Sequence, residues 1–198
     1  MEATAASVLA IKPDVVVLAS GANMVSPPWV PPHVRDAGLV PDVRSAMRLL
    51  LGRTRRQPGT AVLFDMDHTD GTYAAAELLH QLFERVVIIT PRDSFAQDTA
   101  LVTRLGIVRR LYEKQIELIV LSEPRWCDDD MAQGRLAYGN VYNGKGGVIE
   151  DVAFLAYSTP RVPQDGMQEQ LRAAGVEVTL VGDCRAARGV LAATSEGH

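Results

Sequence analysis

Pro13-Asp14-Val15-Val16-Val17-Leu18-Ala19-Ser20-Gly21-Ala22 and, near the other end of the chain, Val176-Glu177-Val178-Thr179-Leu180-Val181-Gly182-Asp183-Cys184 decide the fold. Each is a short apolar run, rich in β-branched residues, that ends on a glycine. Runs of this kind read as strands buried on both faces, the habit of parallel sheets. A glycine just past such a strand lets the backbone turn sharply and lets a neighbour come close where a Cβ would stand.

Between the two lies a complete strand–helix–strand rhythm. Ala61–Phe64 reads as a strand, Thr72–Leu82 as a helix and Arg85–Thr90 as a second strand. Asp98–Lys114 follows as a helix with Leu101, Leu105, Val108, Leu111 and Tyr112 on one stripe, and Ile116–Leu121 as another strand. From Gly134 the pattern changes: residues 135–142 alternate, Asn143-Gly144-Lys145-Gly146-Gly147 turns, and Val148–Tyr157 is extended, which predicts a hairpin or meander. On the N-terminal side, Met1–Lys12 is Ala-rich and helical in tendency. Asn23–Leu39, with Pro27, Pro28, Pro31 and Pro32 around Trp29, reads as an ordered loop because each proline fixes φ and removes a donor. Val43–Leu51 has helical spacing, capped by Asp42 and closed by Gly52, and Arg53–Gly59 reads as a linker. Gln164–Gly175 is a short helix before the last strand.

The composition narrows the function. The chain has 198 residues, 47 % of them hydrophobic, and a net charge of −4. That content suffices for one large or two small α/β domains. The acidic balance supplies no basic field for nucleic acid or an anionic membrane, and the basic cluster Arg48–Arg56 reads as a solvated face or a contact with another domain. No apolar run reaches membrane-spanning length. Two cysteines, Cys127 and Cys184, lack metal spacing and fall short of the four thiolates of an iron–sulfur cluster. A cytoplasmic location is expected. His33, His68, His80 and His198 show no ligand spacing and read as surface or turn residues. Asp128-Asp129-Asp130 reads as a solvated loop, with Trp126 and Cys127 as packing residues. No metal ligands and no catalytic residues are assigned.

The turn after the first central strand is Asp65-Met66-Asp67-His68-Thr69-Asp70-Gly71-Thr72. A dinucleotide site there needs glycines, so that amides can meet a pyrophosphate at a helix N-terminus. A carboxylate at roughly 5 Å from a phosphate costs about 3 kcal/mol at an effective dielectric near 20. Helix-dipole attraction of about 1 kcal/mol does not offset it. The turn therefore argues against NAD(P)H, even with Arg92 standing where a 2′-phosphate reader could. The same residues match the DxDxT motif of haloacid dehalogenase-like phosphatases. In that alternative Asp65 is the nucleophile, Asp67 the acid/base and Mg²⁺ the cofactor, with Thr90 and Gly182-Asp183 as the later motifs. No second acidic residue follows Asp183 at the usual spacing, and the strand Val15–Leu18 has no role in it.

The two terminal stretches resemble signatures of two-dinucleotide flavoproteins: an "ATG" strand, here with Ser20 in place of threonine, and a late "GD" strand, here Gly182-Asp183, leading into a helix with Arg188 and Gly197. The chain as a whole is similar to the C-terminal region of the trimethylamine dehydrogenase, histamine dehydrogenase and 2,4-dienoyl-CoA reductase group, relatives of old yellow enzyme. Phe64–Glu77 looks most like N-methylproline demethylase-like members. The resemblance covers most of residues 13–198 and implies part of an amine dehydrogenase, demethylase or enoate reductase. The FMN barrel, the 4Fe-4S cysteines and the opening glycine-rich loop would then lie upstream of Met1, in a portion that is this chain's partner. It places Ser20, Gly21, Gly182 and Asp183 on the rim of an incomplete FAD or ADP site, with the glycines allowing close approach and Asp183 accepting from a ribose or ribityl hydroxyl. It leaves homo-oligomerisation open.

The expectation is thus an α/β chain in two parts. Residues 57–158 form an inserted, degenerate NAD(P)-binding-like domain, a Rossmann-like parallel sheet with a β-meander. Residues 1–56 and 159–198 form the remainder of a flavoprotein nucleotide-binding domain.

Overall fold

A computed structural model describes residues 3–187 and Thr194. In chain order the elements are α1 (Ala5–Leu9), β1 (Val15–Leu18), β2 (Ala22–Met24), α2 (Pro32–Asp36), α3 (Val43–Leu50), β3 (Gln57–Asp65), α4 (Asp70–Leu82), β4 (Phe83–Ile89), α5 (Leu101–Glu113) and β5 (Glu117–Ile119). There follow β6 (Ser122–Arg125), α6 (Asp128–Ala132), β7 (Leu136–Asn140), β8 (Gly146–Ile149), β9 (Val152–Ser158), β10 (Arg161–Pro163), α7 (Gln168–Ala173), β11 (Glu177–Leu180) and a 3-10 turn at Gly182–Cys184. The fold is α/β. The helix expected after Gly182-Asp183, with Arg188 and Gly197, lies outside the described residues.

The chain divides into a terminal unit, residues 1–25 with 160–198, and a central unit, residues 26–159. The first boundary falls well before residue 56, because α3 packs on β9 and α4 of the central unit. Asp42 caps α3, accepting from the Arg44 and Ser45 amides at 2.9 and 3.1 Å, and also bridges to Tyr157 of β9.

In the central unit a parallel sheet has the order β5-β4-β3-β9, and β6-β7-β8 form an antiparallel meander. The two inner strands are apolar because both faces are covered: Val62, Leu63, Phe64, Val87, Ile88 and Ile89 are all fully buried. β3 starts earlier than expected, at Gln57, and takes up the end of the linker, Gln57 to Gly59. The extended run expected over Val148–Tyr157 is two strands in two sheets. Asp151, at a left-handed φ of 56°, breaks it between β8 and β9. The proline-rich loop contains β2 and α2; Pro32 sits at the first helical position, where a missing N–H costs nothing. α5 keeps only part of its predicted stripe. Leu111 faces the core as expected, together with Ile107, which the stripe left out, while Leu101, Leu105 and Tyr112 are exposed.

In the terminal unit β1 pairs with β11 in parallel and β2 with β10 in antiparallel fashion. Ala5, Leu18, Leu171, Val178 and Cys184 form its core, with Val8 and Val16 packed against them. α1 begins in a reciprocal cap, Thr4 Oγ1 accepting from the Ser7 amide and Ser7 Oγ from the Thr4 amide. The opposite face of β1 is bare: Val15 is 51 % and Val17 60 % exposed.

Candidate functional site

Two strand-end constellations carry polar chemistry, one in each unit. In the terminal unit the register sets Val15 opposite Glu177 and Leu18 opposite Leu180, so Ser20-Gly21 and Gly182-Asp183 leave the same end of adjacent parallel strands. The four residues singled out in the sequence are thereby brought together. Gly21 has a φ of 79° and Gly182 of 61°, the left-handed region that glycine enters without cost. A Cβ built on Gly21 would meet nothing within 4 Å, so the space in front of this turn is open.

Residues that carried no sequence signal tie this rim together. Ser20 Oγ donates to the Gln164 carbonyl and lies 3.1 Å from Cys184 Sγ, and the Gln164 amide donates to the Gly21 carbonyl at 2.9 Å. Arg161, from β10, forms an ion pair with Asp183, both side chains being largely buried. The guanidinium fixes the position of the Asp183 carboxylate at the strand end. Gln164, Arg161 and Cys184 are neighbours of the glycines only through the pairing of β2 with β10 and of β1 with β11, which no local pattern announces.

In the central unit the carboxyl ends of β3 and β4 hold a buried network. Asp65, the last residue of β3, has no exposure and accepts from Tyr73 Oη at 2.6 Å and from the His68 amide at 3.0 Å. Tyr73 Oη accepts in turn from the Ala96 amide at 2.6 Å. His68 is wholly buried, not a surface residue, and adopts a φ of 54°. Its Nδ1 accepts from the Gln97 amide at 3.4 Å, which leaves Nε2 as the donor to Thr90 Oγ1 at 2.9 Å. The network thus stitches the loop after β4 onto the end of the sheet.

Burial sets the charges of these groups. Desolvation pushes the Asp65 carboxyl up to about 6, against the stabilising bonds from Tyr73 and His68. Desolvation, followed by the Arg92 charge, pushes His68 down to about 4. The Tyr73 hydroxyl is raised, by burial first and then by Asp65, and stays a donor. Asp67 accepts from Thr69 Oγ1 beside this network. Arg92 is engaged, by Asp98 at 3.2 Å and the Met66 carbonyl at 3.4 Å. Asp67 and an arginine already paired thus follow the carboxyl ends of β3 and β4, the end at which a parallel sheet takes its ligand. Among the described residues no group of three or more His, Cys, Asp or Glu side chains is placed to hold a metal ion, and no helix is long and apolar enough to cross a membrane.

No protein-family model matches this chain, and no curated protein matches it. Solved structures do. Histamine dehydrogenase from Rhizobium sp. 4-9 is 20 % identical with a TM-score of 0.76 over 100 % of this chain and 32 % of its own. The 6-hydroxypseudooxynicotine amine oxidase from Pseudomonas geniculata N1 is 18 % identical with a TM-score of 0.79, over 100 % and 30 %. Thioredoxin reductase from Lactococcus lactis is 19 % identical with a TM-score of 0.67, over 92 % and 62 %. The chain therefore has the fold of a segment spanning about a third of the first two enzymes. Histamine dehydrogenase is also one of the group that the sequence resembles.

Proposed function

We propose that this chain is the nucleotide-fold portion of a flavin-dependent oxidoreductase of the amine dehydrogenase, demethylase or enoate reductase type, with the redox centre held in another portion of the same protein. The observation that carries this reading is the parallel pairing of β1 with β11, which sets Gly21 and Gly182, both left-handed, at one end of the pair. Two parallel strands with two exposed valines are not a self-sufficient sheet, since parallel sheets are covered on both faces. The partner of that face is the portion bearing the FMN barrel and the iron–sulfur cysteines.

The residues present fit one side of an FAD or ADP site. Gly21 leaves open space for a close approach, and Asp183, positioned by Arg161, accepts from a sugar hydroxyl while Ser20 fixes the turn. No glycine-rich strand–turn–helix stands in the terminal unit among the described residues, so the pyrophosphate is left to the partner portion. The central unit does not take NAD(P)H in this reading, because the turn after β3 carries carboxylates where a pyrophosphate site needs glycines, and Arg92 is already paired with Asp98. The phosphatase reading needs Asp65 open to attack phosphorus. Its full burial, with one donor on each oxygen, speaks against that.

Joining the chain to the barrel portion and measuring the nucleotide released on denaturation tests the proposal. The joined protein should retain ADP or FAD, and Asp183→Ala should reduce the amount. A protein free of nucleotide that instead hydrolyses p-nitrophenyl phosphate with Mg²⁺, an activity lost in Asp65→Asn, would overturn it.

A further inference from the structure

The central unit has an interruption in its sheet edge that no part of this reading uses. β9 is the outer strand of the parallel sheet. Its outer side is closed at two points by the chain itself: the Val152 amide donates to the Gly134 carbonyl at 2.7 Å, and the Tyr157 amide to the Pro41 carbonyl at 3.1 Å. The pairing with β3 skips a residue between Val152 and Phe154. From Tyr157 back, alternation turns Ala156 and Phe154 toward β3 and Leu155 away from it. The Leu155 N–H and C=O therefore point out of the sheet, and no described residue bonds them.

They do not point into open water. The segments that lead to the two closing carbonyls, Leu39-Val40 on one side and Met131-Ala132 on the other, wall a cleft of about 450 Å³ whose floor is residues 152–155. Val34 and Val40 give it an apolar lining, and Leu155 itself is 5 % exposed. At the mouth Asp128 Oδ1 accepts from Trp126 Nε1 at 2.7 Å and meets His33 Nε2 at 3.1 Å. The Trp126 and His33 bonds hold the Asp128 carboxyl below its ordinary range, so it is an anion at neutral pH. Asp129 and Asp130 follow it in α6.

We propose that this cleft is a binding site for a small, flat, unphosphorylated molecule with an amide edge, an aromatic carboxamide or lactam. Its N–H and C=O would complete the edge of β9 at Leu155 as one residue of a neighbouring strand would. Three features select that class. An unmatched backbone donor and acceptor on one residue call for an acceptor and a donor side by side, which an amide supplies. The volume and apolar walls suit a ring system and not an extended peptide, since the closures at Val152 and Tyr157 leave only a few residues of edge between them, interrupted by the irregularity at Ala153. The Asp128 carboxylate at the mouth disfavours phosphate and carboxylate ligands.

Benzamide is the probe, added to the full chain with ¹⁵N-labelled leucine and followed by amide NMR, the Leu155 resonance being assigned through Leu155→Val. Benzamide should shift the Leu155 amide saturably. N,N-Dimethylbenzamide, which lacks the donor, and benzoate should each bind at least about fivefold more weakly, the loss expected for one hydrogen bond. Ala132→Phe, at an exposed position on the cleft wall, should abolish the shift while leaving the remaining leucine resonances in place. Asp128→Asn should narrow the gap between benzoate and benzamide. An unmoved Leu155 resonance, equal binding of the dimethyl compound, or binding unaffected by Ala132→Phe would overturn the proposal.

Discussion

Asp65→Asn should change the pH dependence of stability in a direction fixed by burial. The Asp65 carboxyl titrates at about 6 in the folded protein against an ordinary 3.8. The folded state thus holds this proton more tightly than the unfolded chain. The Asp65 contribution is full below pH 3.8 and is lost as pH rises through 6, by about 3 kcal/mol in all. His68 acts in the opposite sense. It titrates at about 4 against an ordinary 6.5, so stability is gained as pH rises from 4 to 6.5, again by about 3 kcal/mol. The two opposed slopes nearly cancel in the wild type between pH 4 and 6.5. Asparagine removes the first and leaves the second, since desolvation, the leading cause of the His68 shift, remains. The substituted amide also turns one donor toward a donor, because Tyr73 and the His68 amide both require acceptors. That adds a pH-independent cost of about 1–3 kcal/mol. Both tryptophans, Trp29 and Trp126, lie in the central unit, and Trp29 packs edge-on against Phe64 at 5.3 Å. Urea unfolding followed by tryptophan fluorescence therefore reads the unit that contains the network. The wild-type stability minus that of Asp65→Asn should fall by about 3 kcal/mol between pH 4 and pH 6.5. A difference that is flat or rises with pH would refute the assignment of a raised Asp65.

Two further outcomes test the packing. Gly59 has a φ of 92°, and a Cβ there would stand 2.7 Å from the Asp151 carbonyl oxygen, with backbone on both sides of the clash. Gly59→Ala should therefore cost about 2 kcal/mol or more in urea unfolding, above the roughly 1 kcal/mol of a left-handed alanine in open space. In α5, Leu105→Gln should stay within about 0.5 kcal/mol of wild type, whereas Leu111→Ala should cost about 2–5 kcal/mol. Equal costs at the two positions would restore the stripe predicted from sequence.

The central parallel strands were legible because burial on both faces leaves a continuous apolar run: Val62–Phe64 and Val86–Ile89 could be read directly. Val15–Leu18 was read as a strand by the same pattern, yet only one of its faces is covered, with Val15 and Val17 exposed. Asp42 and Gly52 marked α3 for the same kind of local reason. What the sequence concealed depends on partners distant along the chain. Leu101, Leu105 and Tyr112 have the right spacing to face a core beside Leu111, yet α5 turns Ile107 inward with Leu111 and leaves those three exposed, a choice of rotation that spacing alone does not make. His68 carried no sign of burial, because the residues that satisfy its ring, Thr90 and Gln97, come after the next strand. The terminal glycines were visible, whereas Arg161 and Gln164 reach them only through the antiparallel pairing of β10 with β2. The break at Asp151 was hidden because Val148–Tyr157 is extended on both sides of it, and only Glu150 and the left-handed Asp151 separate the two strands.

The site itself is tested most directly by photolabelling the joined protein with an azido-adenosine diphosphate and mapping the modified peptides. Label on the segments around Ser20-Gly21 and Gly182-Asp183, competed by unmodified ADP, is the predicted result. Competed label on Met66–Thr69 and Arg92 of the central unit instead, or no competed label anywhere, would contradict it.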